Sequence, residues 1–180
     1  NISYNNLANK LKSSGFNISK NTIIEYISYF EDAYLFFQNI KYEYSYAAQL
    51  GSIKKLYCID NGMLNAVSFK FSSDLGKLLE NLVYTEIKKM GKQLYFYSSK
   101  YECDFLIKTK NKITEAIQVT EKLDENNEKR EILGLLEALK AHRLNEGIIL
   151  TEEQQEEKII ENKKIKIMPV WLWLLTTKNN

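Results

Sequence analysis

The chain has 180 residues, a formal net charge of +2 and 44% hydrophobic residues. That length allows one domain or two small ones, and the composition can fill a core. No apolar run reaches the roughly 20 residues of a membrane-spanning helix, no signal-peptide pattern opens the chain, and near-neutral charge argues against a tight, nonspecific nucleic-acid binder.

These features predict a cytoplasmic protein. Cys58 and Cys103 lie inside apolar strand-like runs and read as buried free thiols rather than a disulfide. With one histidine and no CxxC, a structural zinc site is not expected. The chain starts at Asn1 rather than Met, which reads as a piece of a longer protein or as a chain with its first residues missing.

Residues 1–72 read as a small helical unit with a β-hairpin. Ser3 is a good N-cap, with Ile2 placed to staple onto Leu7, and Gly15 ends the first helix. Ser19 caps a second helix in which Ile23, Ile27, Phe30 and Tyr34 recur at helical spacing. The short link through Phe16, Asn17 and Ile18 suits a helix-turn-helix. LFFQNIKYEYSY then reads as a strand, with a turn at Gly51-Ser52 and a second strand from Lys54 to Ile59. Asn61-Gly62 marks a further turn, and the stretch to Ser73 reads as a linker.

Two helices and a hairpin predict a winged helix-turn-helix. Its functional reading is DNA binding, with Lys20 and Asn21 at the start of the second helix and Lys41, Lys54 and Lys55 on the hairpin meeting phosphates. Against it, the same helix carries Glu25, Glu31 and Asp32 further on, and acids repel phosphate. The alternative is a winged helix that packs on another protein surface.

Residues 73–180 begin with a helix, LGKLLENLVYTEIKKM, whose 100° steps put Glu80 on the flank of the apolar face and Glu86 near its middle. A carboxylate on an apolar face needs a partner or a metal ion. Three strand-like runs follow: QLYFYSS, ECDFLIK and ITEAIQVT. Period-2 alternation puts Glu102 and Asp104 on one face of the second, and Gln118 and Thr120 on one face of the third. Helix carboxylate, strand carboxylate and a polar pair on the next strand form the layout of a metal-dependent nuclease core.

DENNEKREILGLLEALKAHRL predicts a helix with Arg130 and Glu131 in an early turn and His142 near its end. GIILT reads as a buried parallel strand and EEQQEEK as a solvated run. KIKIMPVWLWLL gives a last strand, a stop at Pro169 and a short helix with Trp171 and Trp173 closing the core. None of the seven glycines opens a GxxxxGK[ST] phosphate loop.

The ordered set G-x-L-L-E-N-L-V-Y-x-E-I, L-Y-F-Y-S, E-C-D-F-L-I, A-I-Q-V-T, K-R-E, G-I-I-L-T and I-M-P-V-W-L-W-L-L resembles the domain of unknown function that follows the ATPase module in many prokaryotic AAA+ proteins. The resemblance covers nearly all of residues 73–175. It implies an α/β (α+β) chain: a winged helix-turn-helix, then a PD-(D/E)xK restriction-endonuclease-like α-β-β-β-α-β core. It also implies a preceding AAA+ ATPase module as partner, with ATP held only there.

Carried over by position, Asp104 and Glu80 match the metal-binding carboxylates, with Glu86 as a further candidate for Mg²⁺. Gln118 and Thr120 stand where the third strand would carry Glu and Lys, and Lys122 is the nearest substitute base. A neutral amide oxygen is a poor Mg²⁺ ligand, and Thr cannot supply the lysine's charge. The resemblance thus implies a DNA- or protein-binding regulatory module with a degenerate nuclease-like fold. The alternative is a Mg²⁺-dependent DNA endonuclease using Asp104, Glu80, Gln118 and Lys122.

Overall fold

The computed structural model describes residues 2–67 and 75–177. The chain divides into two units, Asn1–Val67 and Ser68–Asn180. The predicted boundary between residues 72 and 73 lies among residues 68–74, outside the described residues, as does the linker expected up to Ser73 from residue 68 onward.

In the first unit, α1 (Tyr4–Ser13) and α2 (Lys20–Asp32) begin at the expected caps. Ser3 Oγ accepts from the Asn6 amide at 3.2 Å and Ser19 Oγ from the Thr22 amide at 3.1 Å. Each such cap is worth about 1 kcal/mol. Gly15, at φ +91°, makes the left-handed exit from α1. The exit from α2 is made by a tyrosine instead. Tyr34 sits at φ +56°, its amide donating to Glu31 O, while the Leu35 amide donates to Phe30 O at 2.9 Å. That is a Schellman closure with a bulky residue where glycine is usual, a choice disfavoured by roughly 1 kcal/mol.

The strands β1 (Phe36–Ile40) and β2 (Lys54–Cys58) pair antiparallel, and Ile2 bridges Lys54 on the same sheet. Two expected turns are helices instead. The connection around Gly51 holds α3 (Tyr46–Gly51), capped by Ser45 Oγ on the Ala48 amide at 3.2 Å. Asn61-Gly62 opens α4 (Asn61–Val67), where Asp60 Oδ1 accepts from the Met63 amide at 2.9 Å. In both, a short polar cap outweighs the β-rich or turn-rich composition around it.

The second unit runs α5 (Leu75–Lys89), β3 (Gln93–Ser98), β4 (Glu102–Thr109), β5 (Lys112–Val119), α6 (Glu128–Ala141), β6 (Glu146–Thr151), β7 (Glu156–Ile160), β8 (Lys163–Pro169) and α7 (Val170–Thr177). Its six-stranded sheet has the order β3-β4-β5-β6-β8-β7. β6 lies parallel to β5 across the α6 crossover, as expected, and parallel to β8 on its other side.

The strand β7 corrects the reading of EEQQEEK as a wholly solvated run. Residues 156–158 form the sheet edge, antiparallel to β8, where charged side chains face water without disturbing the ladder. In α7, Trp173 is buried and closes the core, whereas Trp171 is exposed. Cys58 and Cys103 are both buried thiols outside any disulfide, as read from the sequence. Among the described residues, no helix is long and apolar enough to cross a membrane.

One contact sets the height of α6 above the sheet. A Cβ placed on Gly134 would come within 2.0 Å of the Glu102 carbonyl oxygen, so only glycine lets the helix lie this close to β4. The Tyr101 amide also donates to Glu137 Oε2 at 3.0 Å, pinning the same helix to the turn before β4.

Candidate functional site

The β4–β5 ladder runs from the hairpin as far as Phe105 opposite Ile117. Beyond that pair β5 continues along β6, with Gln118 opposite Ile149 and Val119 opposite Leu150. Two buried side chains take over at the fork between β4 and β5. The Asp104 amide donates to Gln118 Oε1 at 3.1 Å, and the Val119 amide donates to Asp104 Oδ2 at 2.9 Å. Each side chain satisfies the other strand's backbone donor, which burial would otherwise leave orphaned.

The helix α6, held close by Gly134, brings Glu131 down onto the fork. Glu131 is buried. Its Oε2 accepts from Gln118 Nε2, and its Oε1 accepts from Arg130, at 2.5 Å from Nη2 and 3.1 Å from Nε. Arg130 is largely exposed, so its guanidinium lies over the acid from the solvent side. The hydrogen bond to Glu131 holds the Arg130 pKa above its usual value, with Asp104 and Glu102 adding attraction. A continuous chain therefore runs from Asp104 through Gln118 and Glu131 to Arg130.

This chain fixes the chemistry of position 118. The Gln118 oxygen must face the Asp104 amide and its nitrogen must face Glu131. A glutamate there would set two carboxylates against each other in a buried site. Glutamine is thus the residue that fits beneath Glu131.

The fork opens into a cleft of about 360 Å³, whose walls include Glu80, Lys100, Glu102, Asp104 and Arg130. It continues into a second hollow of about 370 Å³ past Lys77, Thr120 and Lys122. Mg²⁺ requires several hard oxygens converging on one point with room for water. Here both oxygens of Glu131 already accept hydrogen bonds, the amide of Gln118 is fixed by two partners, and a guanidinium covers the acid. Among the described residues, no group of three or more His, Cys, Asp or Glu side chains is arranged to hold a metal ion. As arranged, Glu131 and Gln118 are committed to these hydrogen bonds rather than open to a metal ion.

The expected site residues are brought together only in part. Glu80, Asp104 and Gln118 share the cleft. Glu86 is not among its lining residues; its largely buried carboxylate pairs with Lys89 at 2.6 Å, one turn along α5. Thr120 Oγ1 donates to Lys122 O at 3.2 Å and accepts from Asn127 Nδ2 at 3.3 Å, so it ties the strand to the approach of α6. Lys122 is in the outer hollow, with its ammonium 3.7 Å from Asp124. Sequence reasoning did not single out Glu131 or Lys100 as site residues. Glu131 carried a usable signal: it shares the helical stripe of Leu135 and Leu139, so its carboxylate had to be buried and paired.

The five candidate DNA contacts also separate. Lys20 and Asn21 are exposed. Lys41 is half-buried and pairs with Glu43 at 2.7 Å. Lys54 is buried: its ammonium donates to Leu50 O at 3.0 Å and Ser52 O at 2.8 Å, and sits 4.9 Å from the Tyr4 ring centroid. Desolvation, with a smaller push from Lys20, lowers the Lys54 pKa. Lys55 is buried as well. Both hairpin lysines, on opposite faces of β2, are thus held out of the solvent that a phosphate contact needs.

Residues 75–173 match a protein family described as a domain of unknown function (DUF4143), and residues 1–74 match a second such domain (DUF8612). An uncharacterized protein of Methanocaldococcus jannaschii is 41% identical over an alignment of 186 positions that covers 97% of this chain and 41% of that protein. An uncharacterized protein of Haemophilus influenzae is 27% identical over 172 residues, 94% of this chain and 40% of that protein. The chain spans about two fifths of the length of these curated relatives. No solved structure matches it.

Proposed function

The chain belongs to the DUF4143 family, and from that premise we propose that it is a recognition and regulatory module whose nuclease-like cleft has been converted from metal chemistry into an internal lock. In this reading the second unit is a PD-(D/E)xK-type core, the first is a winged helix, and both form part of a longer AAA+ ATPase-type protein. Supporting the core assignment is the order α5, β3, β4, β5, α6, β6, with Asp104 and Gln118 facing each other at a strand fork. The bridge of Ile2 to the β1–β2 pair behind two capped helices supports the winged helix.

The observation that carries the loss of chemistry is Glu131, whose carboxylate accepts from Gln118 on one side and Arg130 on the other. Such a network makes the cleft floor rigid, and rigidity suits a surface that is read by a partner rather than one that binds and releases an ion. A second reading, metal-dependent cleavage of DNA, draws on Glu80, Glu102 and Asp104 lining one cleft beside Lys100.

Plasmid and branched DNA incubated with Mg²⁺ or Mn²⁺ decide between them. The module reading expects no nicking above an Asp104→Ala control and no heat of metal binding by calorimetry. Metal-dependent nicking lost in that control would establish the endonuclease and sink the lock.

A further inference from the structure

The outward side of α2 is apolar where a DNA-reading helix is basic. Tyr26, Tyr29 and Phe30 are 49%, 56% and 43% exposed, and Tyr34, one turn further, is 70% exposed. At 100° per residue the first three cover one continuous arc beside the buried Ile23–Ile27 stripe. Single exposed apolar residues are ordinary; three large rings on one side of one helix, with a fourth just past its end, are a patch.

The rings are also held in place. Phe30 packs edge-on against Phe36 with centroids 5.7 Å apart, and Tyr34 against Phe37 at 6.2 Å. The Tyr29 hydroxyl donates to Glu25 Oε1 at 2.7 Å. Pre-set aromatic anchors lose little freedom on binding and dominate protein–protein hot spots. The left-handed backbone of Tyr34 adds to this: the chain accepts that conformation for a ring that fills none of its own core.

Charge decides what such a patch accepts. After Lys20 at its first position, every charged residue of α2 is acidic. Glu31 turns inward, accepting from Gln38 N at 2.9 Å and Nε2 at 2.7 Å. Glu25 and Asp32 border the rings on their outer side, where they repel a phosphate backbone and attract lysine or arginine.

We propose that Tyr26, Tyr29, Phe30 and Tyr34, bordered by Glu25 and Asp32, form a docking face for a protein segment that presents an apolar stripe flanked by basic residues. This deepens the module reading by naming its partner chemistry, and it stands on α2, so the cleavage assay does not decide it.

The test uses the full chain and three probes: an amphipathic Leu/Lys helical peptide of about 18 residues, the same peptide with Glu for Lys, and duplex DNA. Titration calorimetry should give at least roughly tenfold tighter binding for the Leu/Lys peptide than for the Leu/Glu peptide. A Tyr26→Ser/Tyr29→Ser chain, checked for native circular dichroism, should lose that binding. A Glu25→Lys/Asp32→Lys chain should reverse the peptide preference. Equal affinity for the two peptides overturns the proposal, as does insensitivity to both variants. So does competition by duplex DNA for the same face. A concentration-dependent dimer abolished by Tyr26→Ser/Tyr29→Ser would assign the face to a second copy of the chain, whose α1 carries Lys10 and Lys12 and no acid, and would equally overturn it.

Discussion

The two units solve the problem of stability in opposite ways. Among the described residues, the first buries only Ile23, Ile27, Tyr57 and Cys58 as apolar side chains and leaves Phe16, Tyr26, Tyr29, Tyr34, Tyr44 and Tyr46 largely in solvent. The second takes Val83, Ile87, Phe96, Phe105, Leu135 and Ile149 wholly out of water and threads a buried polar chain between them. A small unit that keeps its aromatic area outside gives up burial energy of roughly 25 cal/mol per Å². The difference teaches that the second unit holds its cleft by its own packing, whereas the first leaves the aromatic area on which the docking proposal rests in solvent.

The largest effect should come from the second unit's tightest contact. Gly134→Val puts atoms into the Glu102 carbonyl and should lower that unit's stability by about 3–5 kcal/mol, since the obstruction is backbone. Denaturant unfolding followed by tryptophan fluorescence reads it cleanly, because both tryptophans lie in α7. A change under 1 kcal/mol would mean that α6 does not need its close seat.

The comparison itself predicts two thermal transitions in the unaltered chain. The first unit should melt about 10 °C or more below the second, seen as a loss of far-ultraviolet ellipticity that precedes the tryptophan signal. Coincident transitions by both probes would refute the contrast between the units.

Next in size is the lock. Gln118→Glu should destabilise the second unit by about 1–3 kcal/mol at neutral pH, through apposed carboxylates and a lost donor. Adding Glu131→Gln should recover most of that, because the swap restores one acid facing one amide. Failure of the rescue in a double-mutant cycle would show that Gln118 and Glu131 are not coupled.

The smallest effect is a pH dependence at His142. Burial lowers its folded-state pKa, so below the ordinary value near 6.5 the unfolded chain takes up the proton first. Stability is then lost as pH falls from about 6.5 toward the folded value. The His142→Gln chain should lack that part of the slope; parallel pH profiles for the two chains would remove His142 from the account.

Much of this fold was legible in the sequence because local chemistry dictates it. Ser3 and Ser19 cap helices through their own side chains, and the apolar periods of α5, α6 and β4–β6 locate themselves. What stayed hidden depends on contacts between distant residues. Lys54 and Lys55 read as phosphate contacts, but both are buried, and the Lys54 ammonium is held by the carbonyls of Leu50 and Ser52. The edge strand β7 has no apolar alternation to reveal it, since an edge needs none. Gln118 read as a damaged catalytic position, and only Glu131, thirteen residues on, explains why an amide belongs there. The rule that flagged Glu86, an acid on an apolar stripe, applied better to Glu131.

The strand β7 also governs how the protein behaves in a crowd. A sheet edge is an invitation for another chain to add a strand, and Ile159 stands 81% exposed on this one. The neighbours of Ile159 refuse the invitation: Lys158 is drawn to Glu128 at 2.5 Å and to Glu156 at 3.3 Å, and Glu157 to Lys164 at 2.9 Å. An incoming strand would have to strip water and counter-charge from each of these before it gained a ladder. Resistance to aggregation at high local concentration is therefore written into the very residues whose polarity made the strand hard to foresee.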